Sequence, residues 1–115
     1  MHDFKKLAVW NLAMEFSVEI DNVTQRSPRG HGTLGGQSRR AAESIYATIA
    51  EGCGKDTRAE TIRFFNMALG SATELESHLI KAGKKSYIRP TELRRLLDRT
   101  QVIQKMIYRL IERLP

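Results

Sequence analysis

The chain offers little from which to build a metal centre or a covalent catalyst. It has three histidines, His2, His31 and His78, and one cysteine, Cys53. A zinc or di-iron helical bundle needs His ligands one turn apart or two Glu-x-x-His repeats on facing helices. The histidines are scattered instead, and the nearest approach, Glu74 four residues before His78, supplies one pair on one helix. Cys53 has no partner for an internal disulfide, and it follows a helix-ending glycine, where the helix dipole opposes thiolate formation. No serine stands beside a paired His and Asp. Gly30, Gly32 and Gly35 spell G-x-G-x-x-G, but that motif cradles a pyrophosphate only between a strand and a helix. Here the preceding residues have helical periodicity and no strand pattern occurs elsewhere, so the glycines read as a flexible connector. Neither catalysis, nor a metal, nor a cofactor is expected.

What remains is charge. Nineteen Lys and Arg against thirteen Asp and Glu give a net charge of +6 and a pI near 9.8, which suits an anionic partner. The excess is uneven. Lys81 to Pro115 holds ten basic and three acidic residues, a local charge of +7, and the other 80 residues sum to −1. Helical spacing puts Arg95, Arg99, Arg109 and Arg113 on one face, with Val102 and Met106 between them. With Arg39, Arg40, Lys84, Lys85, Arg89 and Arg94 these form a candidate nucleic-acid surface, contacting phosphates without base readout. Tyr87 is the one aromatic in the region placed for base stacking, and packing against the end of a bundle suits it better. The alternative is a solvated face that covers apolar area or docks an acidic protein surface, in a structural or protein-interaction oligomer.

The elements that position these residues are helical throughout. From Phe4 to Gln25 one apolar stripe runs Val9, Leu12, Phe16, Ile20, Val23, and a second, Leu7, Trp10, Met14, lies beside it, opposite Asn11, Glu15, Glu19 and Asn22. So wide an arc implies partners on two sides and points to oligomerisation. Arg26 to Gly36 reads as a connector rich in glycine and basic residues. A second helix, Gln37 to Gly52, places Ala41, Ala42, Ile45, Ile49 and Ala50 on one side, where alanines admit a close neighbour, and Gly52 and Gly54 end it. Thr57 and Glu60 form a capping box opening a third helix to Ala82, roughly 39 Å long. Its stripe is Ile62, Phe65, Leu69, Ala72, Leu75 and Leu79, with Gly83 placed to stop it. Gly70 at mid-helix predicts close approach by another helix, since glycine there costs on the order of 1 kcal/mol against alanine. Thr91 is the expected N-cap of a fourth helix carrying Leu93, Leu96, Leu97, Ile103, Ile107, Leu110, Ile111 and Leu114. Four amphipathic helices with short connections in 115 residues predict one domain, an antiparallel up-down-up-down four-helix bundle. No apolar run approaches the roughly 20 residues of a membrane span, and no signal pattern opens the chain, so a soluble cytoplasmic protein with no membrane partner is expected.

Several segments carry a family resemblance. The opening "DFKKLAVW" at Asp3 to Trp10, "QSRRAAESI" leading to "IAEG" at Ile49 to Gly52, and "GSATEL" at Gly70 to Leu75 resemble the bacterial four-helix-bundle proteins encoded in intervening sequences of 23S ribosomal RNA genes, also called S23 ribosomal proteins. The order and spacing of these motifs, together with Tyr87 and the leucine-rich last helix, extend the likeness over essentially the whole chain. It implies a homopentameric ring similar to the accessory variability proteins of diversity-generating retroelements, which bind nucleic acid through a basic surface and associate with a reverse transcriptase. Gln37, Arg40, Ser44, Ile49, Ala50, Glu51 and Gly52 fall on the family pattern, and the likeness implies an ion pair between Arg40 and Glu51 within or between subunits. The chain departs from the pattern at Thr48, where asparagine is common, at Leu69, where an arginine often precedes the Gly-Ser pair, and in the glycine-rich linker Arg29 to Gly36. The Leu69 departure removes one basic site.

Overall fold

The computed structural model describes residues 3–26 and 32–115, and among these residues there are four α-helices and no strand. A three-residue 3-10 turn, Phe4–Lys6, is capped by the Asp3 carboxylate, which accepts from the Lys5 backbone N–H. Leu7 is extended and breaks the expected continuous first helix, so that α1 spans Ala8–Arg26. The Asn11 side chain rejoins the two pieces by donating to the carbonyls of Lys5 and Leu7, both at 3.0 Å.

α2 spans Gly32–Cys53 and so begins five residues earlier than Gln37. Gly32, Gly35 and Gly36 lie inside a helix rather than in a connector. Leu34 and Ser38 extend the buried stripe of Ala41, Ala42, Ile45 and Ile49 by a further turn, and that burial outweighs the poor helix propensity of the glycines. Gly30 of the glycine motif lies outside the described residues, and Gly32 and Gly35 open no phosphate loop after a strand.

α3 spans Arg58–Lys84. Thr57 Oγ1 accepts from the Glu60 N–H at 3.1 Å, as the capping box predicts, while the Glu60 carboxylate turns to Arg63 at 3.2 Å. Gly83 lies within the helix rather than ending it. α4 spans Pro90–Glu112, and its N-cap is Arg89 rather than Thr91. Proline is pre-set for the first helical position and holds the preceding residue extended, so the boundary falls one residue before Pro90.

Consecutive helices run antiparallel. The carboxyl end of α2 meets the start of α3, where Thr61 Oγ1 donates to the Gly52 carbonyl at 3.0 Å. The end of α3 meets the start of α4, where Gly83 lies against Leu93. Arg26, ending α1, reaches Glu92 in the first turn of α4. The result is an up-down-up-down rod, 46 Å long and 20 by 19 Å across. Among neighbouring helices, contact is most extensive between α2 and α3 and sparsest between α1 and α4. One apolar core runs its length, with Phe16, Ile20, Ile49, Phe65, Leu75, Leu96, Ile103 and Ile107 inaccessible to solvent.

The close helix approach predicted at Gly70 occurs elsewhere. A Cβ on Gly70 would meet nothing within 4 Å, whereas one on Gly52 would lie 2.9 Å from the Phe65 ring and 3.1 Å from Phe64 Cβ. Helical periodicity marks a glycine as costly without saying which neighbour it faces.

Candidate functional site

The ten basic residues singled out by sequence divide into three settings. At the end of the bundle where α3 passes into α4, Lys84, Lys85, Arg89 and Arg94 are exposed, together with Lys81. Lys85 lies over the Tyr87 ring, its Nζ 5.6 Å from the centroid. Tyr87 itself is half-buried against the core, beside the buried Ile88. The turn between the two helices is tied to α3 by the Tyr87 N–H, which donates to the Ala82 carbonyl at 2.9 Å, and places Ser86 at a left-handed φ of 61°. The lysines and arginines of this corner are thus carried on an ordered backbone and form no ion pair among the described residues.

The second setting is the α1/α4 seam. The Glu19 carboxylate accepts from both Arg95 and Arg99, one guanidinium on each oxygen, with Arg99 Nη1 at 3.0 Å from Oε1. Arg95 also approaches Glu92 at 3.8 Å, and Glu92 pairs with Arg26 at 3.1 Å. Three cations and two carboxylates therefore form one network across the seam. Further along the seam Arg109 and Arg113 are exposed and form no ion pair among the described residues, bordering a cleft of about 260 Å³ floored by Leu7, Ala8, Val9, Met106 and Leu110. The basic face expected on α4 is thus ion-paired in its first half and open in its second. Val102, between the halves, is 48% exposed.

The third setting is α2. Arg39 is turned inward and donates to Thr24 Oγ1 at 2.9 Å, so it fastens α2 to α1. Arg40 is exposed, without a side-chain hydrogen bond or ion pair among the described residues. Its expected partner within the subunit, Glu51, lies eleven positions along the same helix, about 16 Å away along the axis, and the two form no pair in this chain.

Sequence reasoning missed Glu19. It belongs to the polar face of α1 with Glu15 and Asn22, and only the antiparallel register of two helices far apart in sequence brings it to Arg95 and Arg99. It also missed Tyr108, the most exposed aromatic at 59%, which borders an α3/α4 groove with Leu69, Gly70 and Gln104. Its position directly after Ile107, off the buried stripe, is the signal. The Leu69 departure lies in this same groove. Thr48 fits where asparagine is common by donating to the Ser44 carbonyl at 2.6 Å.

Glu74 and His78 meet at 3.1 Å on α3, and among the described residues no group of three metal-ligating side chains comes together. His2 and His31 lie outside the described residues. Cys53 is buried, and burial pushes its thiol above its ordinary value, which disfavours the nucleophilic thiolate. No described helix is long and apolar enough to cross a membrane.

The sequence profile of the family described as "23S rRNA-intervening sequence protein" matches residues 5–109. A comparison with curated proteins finds no match. Among solved structures, a protein of unknown function from the S23 ribosomal protein family of Bacteroides thetaiotaomicron VPI-5482 is similar, with 26% identity and a TM-score of 0.85 over 90% of this chain and 98% of that one.

Proposed function

This chain belongs to the 23S rRNA-intervening sequence protein family, and from that premise we propose a non-catalytic, cytoplasmic oligomer that binds the phosphate backbone of RNA or DNA. The observation that carries this reading is the α3/α4 corner, where Lys81 and Lys84 at the end of α3, Lys85 and Arg89 in the turn and Arg94 early in α4 are all exposed. Glu92, in the first turn of α4, is engaged by Arg26 and Arg95. A cluster of that kind attracts phosphates through counterion release and carries no base code. In the homopentameric ring proposed from the family likeness, the corner repeats five times and its potential adds. Association with a reverse transcriptase belongs to the same likeness.

Fluorescence anisotropy of labelled structured RNA and duplex DNA over a salt series tests the reading. The expected result is micromolar or tighter affinity whose logarithm falls with log salt by about 0.9 per phosphate engaged. Absence of binding at low salt overturns it. The second reading, a protein-interaction or structural oligomer without a nucleic-acid role, draws on the apolar cleft beside Arg109 and Arg113 and on exposed Val18 and Val102. Light scattering separates the assemblies, and a monomer at micromolar concentration removes the ring from both.

A further inference from the structure

We infer that Glu19 is an internal stand-in for phosphate, whose carboxylate holds Arg95 and Arg99 out of the nucleic-acid surface until a polyanion displaces it. The inference rests on the nucleic-acid reading above and adds a means of regulating the same surface.

The geometry is that of an occupied anion site. Two carboxylate oxygens each take one guanidinium, as two oxygens of a phosphate would. The Glu19 side chain is 21% exposed beneath the two arginines, which are 46% and 37% exposed. An arriving phosphate therefore meets the guanidinium groups before it meets the acid that holds them. Arg94 lies next to Arg95 in sequence and forms no ion pair among the described residues, and Arg89, Lys85 and Lys84 continue into the corner, so release lengthens an existing basic surface from the corner onto α4. The network contains Arg26, Arg95 and Arg99 against Glu19 and Glu92, a residual charge that draws anions in. Ion pairs this exposed are weak and screened by salt, so a phosphate with comparable donors available can exchange for the carboxylate. Contact between α4 and α1 is sparser than between the other neighbouring helices of the bundle.

Binding of a labelled RNA or DNA duplex is measured for the full chain and for variants with matched changes in charge. Glu15→Gln removes one charge from the same face of α1 without freeing an arginine and serves as the reference for Glu19→Gln. The expected result is that Glu19→Gln tightens binding roughly three- to tenfold beyond Glu15→Gln and steepens the salt slope by about 1 to 2. In the chain with Glu19 intact, the pair Arg95→Gln with Arg99→Gln is expected to weaken binding less than about twofold, against roughly tenfold for Lys84→Gln with Lys85→Gln, which removes the same charge. This second comparison does not depend on how well Glu19→Gln folds. Equal gains from Glu19→Gln and Glu15→Gln, or equal losses from the two double variants, overturn the inference and leave the nucleic-acid reading standing. A wild-type chain that binds no duplex at low salt overturns both.

Discussion

The α2/α3 interface and the α1/α4 seam join antiparallel helices by opposite means. Between α2 and α3 the fit is one of shape. Gly52 lies under the Phe65 ring, Ser71 donates to Ser44 at 2.8 Å, and Ala42, Ile45 and Ile49 on α2 are as fully buried as Phe65, Ala68 and Ala72 on α3. Between α1 and α4, which share the same apolar core, the rim is joined by charge, through Glu19, Arg95, Arg99, Arg26 and Glu92. Dispersion and burial respond to volume and are indifferent to salt, whereas exposed ion pairs respond to salt and are indifferent to small changes in volume. One side of the rod is therefore built to stay closed, and the other can respond to what surrounds it.

Substitutions can break that contrast. The largest effect is expected from Phe65→Ala, which empties the centre of the α2/α3 interface and should lower unfolding free energy by about 3–5 kcal/mol, read from denaturant melts. Gly52→Ala drives a methyl into the same ring and the Phe64 Cβ and should destabilise by about 1–3 kcal/mol, with no dependence on salt. Gly70→Ala should act in the opposite direction, raising stability by up to about 1 kcal/mol in the monomer, because its methyl meets open space. A loss there instead would show that a second chain approaches α3 at Gly70. The smallest effect belongs to the seam. Glu19→Gln should cost about 0.5 kcal/mol at low salt, and the difference should vanish near 1 M sodium chloride.

The sequence was legible where one residue's neighbours lie within a turn or two of it. The stripe through Ala41, Ala42, Ile45 and Ile49, the Thr57 cap and the stripe through Leu96, Ile103 and Ile107 are local patterns, and each predicts its helix. The boundaries that moved are those where a distant contact or a backbone constraint outweighs local propensity. Gly32 to Gly36 became helix because Leu34 and Ser38 find cover in the core, and α4 began at Pro90 because proline sets the backbone on both sides of itself. The ten cations were identifiable as charges, but their partners were not. Arg39 finds Thr24 fifteen residues back, and Arg95 finds Glu19 across 76 residues, separations at which charge patterning within a helix carries no information.

Those separations also order the events of folding. The α2/α3 hairpin closes a short loop, whereas the seam must bring together residues 66 to 80 positions apart, with a correspondingly larger loop-closure entropy. The hairpin is then the natural nucleus, and the α1/α4 ion pairs form after the rate-limiting step. Stopped-flow kinetics should find that Phe65→Ala slows refolding, while Glu19→Gln leaves the refolding rate unchanged and shows only a faster unfolding limb. The edge of the rod that answers to salt is thus also the last to zip and the first to open.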